Sequence, residues 1–169
     1  MSAETIIALW KEARGGLIEE VEKIPEDQFS FRATPDTRSV AEVLQHIISA
    51  QKMLVGESCR SDANLMRQSF ADHIKEYGAG VNEVTDKNGL IELLRTSMDE
   101  AAQCINSYGD KLDETMMGMT GKPITKSAFL IFAFSHEMYH RGQLTVFERL
   151  LSIEPAMTER FRRMMARAG

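Results

Sequence analysis

Apolar residues recur at helical spacing along nearly the whole chain. Ile6, Leu9, Trp10, Ala13, Leu17, Val21 and Ile24 share one face, which predicts a first helix from Ala3 to about Lys23. Gly15 and Gly16 weaken it locally, and Pro25 stops it. The stretch from Pro25 to Arg38 reads as loop, with turn chemistry at Pro35, Asp36 and Thr37. A second helix opens at Ser39, where Glu42 three residues on completes a capping-box pattern, and runs to about Gly56. Its core arc is Val40, Val43, Ile47, Ala50 and Leu54. Between Ser58 and Lys87 the spacing of Met66, Phe70, Ile74 and Tyr77 predicts a shorter amphipathic helix, broken by Gly78 and Gly80. A third long helix follows Asp86 and carries Leu90, Leu94, Met98, Ala101, Ile105, Tyr108 and Leu112. Gly118, Gly121 and Pro123 mark the next connection, and a fourth long helix runs from about Thr125 to Ile153, stopped by Pro155. A last short helix covers about Met157 to Ala168. With no strand-like alternation, repeat or linker, residues 1–169 read as a single all-α domain: a four-helix bundle with additional short helices.

The fourth long helix carries the candidate chemistry. With His136 at zero on a wheel of about 100° per residue, Phe129, Phe132, Ala133, His140, Gln143, Phe147, Leu150 and Leu151 lie within about 60° of it. That places both histidines in the middle of an apolar stripe, one turn apart on one face, a spacing suited to chelating one metal ion. Burying two imidazoles needs partners, and alone the pair fits hydrogen-bonded core histidines as well as ligands. His46 on the second helix tips the balance, because it lies near that helix's apolar arc and can reach across a seam to His136 and His140. Neutral imidazoles suit a divalent metal such as Zn, Ni or Fe, and three protein ligands leave open positions.

Around this triad, Gln143 is a candidate substrate-binding residue or a polar residue satisfying a neighbouring helix. Glu42 is a capping carboxylate that could also orient the site. His73 reads as a surface or loop-packing histidine, Arg141 as a surface or interhelix contact, and Gly142 as an aid to close packing. Ile131, Phe134 and Met138 form a second apolar face, to be covered by the C-terminal helix or by a second copy, so a homodimer is expected.

Composition sets bounds. The 169 residues are 43% hydrophobic and 27% charged, with a formal net charge of -5, which argues against a nucleic-acid surface. Arg160, Arg162, Arg163 and Arg167 alternate with Phe161, Met164 and Met165, as on a docked amphipathic helix with a solvated basic face. Cys59 and Cys104 show no framework spacing and read as two reduced residues. No apolar run approaches the roughly 20 residues of a membrane span, and Met1 to Trp10 lacks a basic n-region, so a cytoplasmic location and no membrane partner are expected.

The segment HEMYHRGQLTVFERLLSIEP, His136 to Pro155, resembles the final-helix motif of the DinB-like (DinB/YfiT) superfamily, and SVAEVLQHIISAQKMLVGE, Ser39 to Glu57, resembles its second-helix motif. The resemblance implies a four-helix bundle with a histidine metal triad at His46, His136 and His140. It also implies thiol chemistry, since some such proteins are transferases or isomerases using mycothiol, bacillithiol or glutathione. The expected function is therefore a metal-dependent transferase that activates a low-molecular-weight thiol toward a small-molecule substrate. The alternatives are a metal-dependent hydrolase using Glu42 as base, and a non-catalytic stress-related metal- or ligand-binding protein. A fourth protein ligand from the Ser58 to Lys87 segment would favour the last.

Overall fold

A computed structural model describes residues 1–168 of the chain, apart from the side chains of Asp110 and Ala168. Helices α1 (Ala3–Lys23), α2 (Val40–Ser58), α4 (Lys87–Tyr108) and α5 (Lys126–Leu150) are the four long members of the bundle. They are joined by the short helix α3 (Phe70–Tyr77) and followed by α6 (Ala156–Ala168). Side chains at Ser2, Ser39, Ser69, Asp86 and Thr125 each accept a backbone N–H at a helix start. At Ser39 the capping box is complete, with the Ser39 N–H donating in return to Glu42. The long helices pack in the cyclic order α1, α4, α2, α5, and α3 lies on α2 while α6 lies on α1. The fourth helix expected from the sequence is α5.

Two apolar clusters fill the bundle. One gathers Trp10, Met53, Met98, Ile105, Phe129 and Ala133, the other Leu17, Leu44, Ile47, Leu94, Leu144 and Phe147. A polar layer crosses the core between them. Arg14 of α1 forks onto Glu137 of α5 at 2.7 Å through both Nε and Nη2, and Trp10 Nε1 donates to the same carboxylate at 2.6 Å. Ser97 Oγ accepts from Arg14, and Gln51 Nε2 donates to the Ser97 carbonyl, so every long helix contributes to the layer. A buried pair of this kind is tolerable because the bidentate geometry and the extra donors satisfy both charges.

Four expectations need correction. The connection before α5 is a small antiparallel hairpin, β1 (Thr115–Met117) with β2 (Pro123–Thr125), turned at Gly121 with φ 71°. Strands of three residues are too short to show alternation in the sequence. Cys59 at the end of α2 and Cys104 on α4 are joined in a disulfide, with Cα atoms 6.2 Å apart, so the reduced compartment read from two free thiols loses its premise. The C-terminal helix docks on α1 by polar contacts: Lys23 with Glu159, Arg160 with Glu19, and Glu20 accepting the N–H groups of Ala156 and Met157. Its own Phe161, Met164 and Met165 stay more than half exposed, and it leaves Ile131 and Met138 of α5 partly open. Gly142 is exposed and nothing lies where its side chain would be, so it mediates no close packing. No described helix is long and apolar enough to cross a membrane.

Candidate metal centre

The buried face of α5 is not the one that hydrophobicity alone suggests. Its buried residues are Lys126, Phe129, Leu130, Ala133, Glu137, His140, Arg141, Leu144, Phe147 and Glu148, an arc centred roughly 80° round from His136. Glu137, Arg141 and Glu148 point into the core, whereas Phe132 and Leu150 are 40% and 57% exposed. The helix is rotated because two of its charged residues find buried partners: Glu137 takes Arg14, and Arg141 takes Glu20 of α1. His136 and Gln143 are therefore half-buried at the edge of the arc, and His140 lies just inside it. That edge faces α2.

His46 meets the pair there. His46 Nε2 is 3.2 Å from His136 Nε2, and the three ring centroids are separated by 4.6, 4.7 and 5.0 Å. One nitrogen from each ring can be chosen so that all lie within 4.8 Å of one another. Nitrogens bound to one tetrahedral ion at about 2.0–2.1 Å stand roughly 3.4 Å apart, so the cluster needs little adjustment to close on a metal. His140 Nδ1 lies 3.1 Å from Gln143 Oε1. The amide oxygen accepts a hydrogen bond from Nδ1–H, which leaves the Nε2 lone pair free, the usual way an outer partner fixes the tautomer of a ligating imidazole.

Electrostatics favour the neutral, metal-competent form. Burial, with help from the nearby positive charge of Arg38, lowers the His46 pKa to about 4, and burial lowers His136 to about 4. His140 is also shifted down, chiefly by burial, against the raising effect of Gln143. Three neutral imidazoles side by side form a donor set that fits a divalent ion of borderline softness.

The neighbouring residues divide clearly. Glu42 serves the cap and pairs with Arg32, so both carboxylate oxygens are occupied. His73 is buried rather than on the surface, packed in the α3 connection against the Leu65 carbonyl and Gln68. It is not part of the histidine cluster, so the Ser58 to Lys87 segment brings no histidine to the triad. An open groove of about 630 Å³ runs beside His46 between α2 and α3, with Arg38, Ser49, Phe70 and Ile74 on its walls. Arg38 went unnoticed in the sequence. The only signal was its place directly before the capping box, two helical turns ahead of His46.

The DinB family model matches residues 1–167. The chain is 22% identical over 130 residues to YjoA of Bacillus subtilis, covering 76% of this chain and 77% of that one. The crystal structure of that DinB-like protein superposes with a TM-score of 0.66, covering 88% of this chain and 92% of YjoA. YfiT of Bacillus subtilis, a probable metal-dependent hydrolase with an unusual four-helix bundle topology, gives 0.67 at 16% identity, over 90% and 89% of the two chains. A mycothiol-dependent maleylpyruvate isomerase gives 0.68 at 10% identity, over 85% of this chain and 61% of that one. At these identities the structural likeness speaks for the fold alone.

Proposed function

The chain belongs to the DinB family, and on that premise we propose that it is a metal-dependent enzyme that activates a low-molecular-weight thiol toward an electrophilic small molecule. The observation that carries the proposal is the convergence of His46, His136 and His140 from two helices on one point beside an open groove. A divalent ion bound there would supply Lewis acidity and lower the pKa of a coordinated thiol.

The chain's own groups have distinct parts. Gln143 holds His140 in the tautomer that directs Nε2 inward. Glu137, locked by Arg14 and Trp10, fixes the rotation of α5 and with it the direction of the adjacent His136. Phe70 and Ile74 offer an apolar wall for the electrophile, and Ser49 a hydroxyl within the same groove. A water-activating hydrolase would need a nearby general base. Glu42, the candidate for that role, is held by Arg32 and the Ser39 N–H, which favours the thiol reading.

The test is the metal content of the untagged protein by elemental mass spectrometry, beside the triple variant His46→Ala/His136→Ala/His140→Ala. Close to one metal per chain, lost in the variant, is expected, followed by turnover in a thiol-transferase screen. Protein that stays metal-free after incubation with Zn, Ni and Fe(II) overturns the proposal.

A further inference from the structure

The groove beside the triad contains a cation that the fold does not use. Arg38 is exposed on its wall and, among the described residues, has no carboxylate within ion-pair distance. The other arginines near carboxylates in this region are committed: Arg32 to Glu42, and Arg67 to Glu57 and Glu76. Glu42 shares the groove with Arg38, but Arg32 and the Ser39 N–H occupy both of its oxygens. The remaining polar lining, Gln45, Ser49 and Asn82, is neutral. In a chain of net charge -5, this groove therefore presents one guanidinium that, among the described residues, has no ion-pair partner.

Its placement relative to the triad is fixed by α2. Arg38 directly precedes the Ser39 cap, the six steps from Val40 to His46 rise about 9 Å along the helix, and Arg38 and His46 line the same groove. A guanidinium is the side chain best matched to a carboxylate, which it holds by two parallel hydrogen bonds.

We propose that Arg38 is an anion-binding residue of this groove, and that the small molecule taken there carries a carboxylate at one end and a metal-binding group at the other. The proposal rests on the metal reading of the triad and adds the class of ligand to it.

The untagged protein loaded with Co(II) is titrated calorimetrically with 3-mercaptopropionate and with 2-mercaptoethanol, which share a thiol and differ in the carboxylate. Tighter binding of 3-mercaptopropionate by about tenfold is expected for one charge-assisted contact in an open groove. In Arg38→Gln the difference disappears, while cobalt stoichiometry and the affinity for 2-mercaptoethanol stay unchanged. A preference that survives in Arg38→Gln, or that is missing from the wild-type protein, overturns the proposal. Protein that takes up no cobalt overturns the metal reading instead. The same two thiols titrated against the metal-free protein then decide the anion site, which stands if 3-mercaptopropionate binding depends on Arg38 and falls if it does not.

Discussion

Gly15 and Gly16 look interchangeable in the sequence, yet their replacement by alanine should act in opposite directions. Gly15 is exposed and nothing lies within 4 Å of the position its Cβ would take. Gly15→Ala therefore gains helix propensity and no clash, for a stabilisation of up to about 1 kcal/mol. At Gly16 an added Cβ would stand 2.5 Å from both terminal nitrogens of Arg141. The guanidinium can move aside, but only by leaving Glu20, to which Nη2 donates at 3.2 Å in a setting where the two side chains are 9% and 0% exposed. Breaking a buried ion pair costs about 3–5 kcal/mol, against about 1 kcal/mol of propensity gained. Glu20 keeps the N–H groups of Ala156 and Met157 as partners, which places the net loss near the lower end, about 2 kcal/mol. Urea unfolding followed by circular dichroism measures both variants, and the matching fall in Tm for Gly16→Ala is roughly 4–8 °C. In an Arg141→Met background the clash with the guanidinium is gone, so the cost of Gly16→Ala should shrink. Equal responses at the two glycines would refute the assignment of Gly16 as the platform for Arg141.

Three further outcomes follow from the same contacts. Ser152 closes α5 in the left-handed region at φ 61°, with the Ile153 N–H donating to the Glu148 carbonyl, so Ser152→Gly should raise stability by about 0.5–1 kcal/mol in a thermal melt. The Glu148 carboxyl is fully buried without a hydrogen-bonding partner, and burial and then Glu20 push its pKa up to about 8. A raised folded pKa means stability that is complete below the unfolded value of 4.5 and is lost as pH climbs through 8. The histidines, with lowered pKa values, weaken the fold only as pH falls below about 6.5, so the decline between pH 6.5 and 8 isolates Glu148. Chemical denaturation across that range should show a falling stability in the wild type and a flat one in Glu148→Gln. Finally, His46→Ala removes one of three ligand nitrogens and should weaken metal retention by at least about tenfold in competition with a chromophoric chelator. Retention equal to the wild type would remove His46 from the site.

The helices and the identity of the triad were legible because each rests on local signals. Ser39 with Glu42, Asp86, Pro25 and Pro155 mark ends by capping or by the missing N–H, and the 3.6-residue period marks faces. What the sequence hid depends on distant partners. Hydrophobicity centred the α5 stripe on His136, because Phe132 and Leu150 are apolar while Glu137, Arg141 and Glu148 are charged. Arg14 and Glu20 reverse that ranking, and both lie more than 100 residues away in the chain. The hairpin is too short for a period, and the Cys59–Cys104 bond spans 45 residues with no motif to announce it.

The rotation of α5 has a chemical consequence. Histidines in the middle of a close-packed stripe would be sealed by apolar neighbours, and an ion held there would have no room for a further ligand. Turned to the edge by the Glu137–Arg14 and Arg141–Glu20 pairs, His136 stays half-buried and meets His46 where the groove opens. The polar layer behind the site is rigid on account of its bidentate pair, whereas the wall in front is formed partly by α3, a helix of eight residues that packs on α2. Stiff support behind the ligands and an open approach before them is the arrangement that binding and turnover of a small molecule require. The same buried charges that obscured the stripe in the sequence are therefore what give the triad its access.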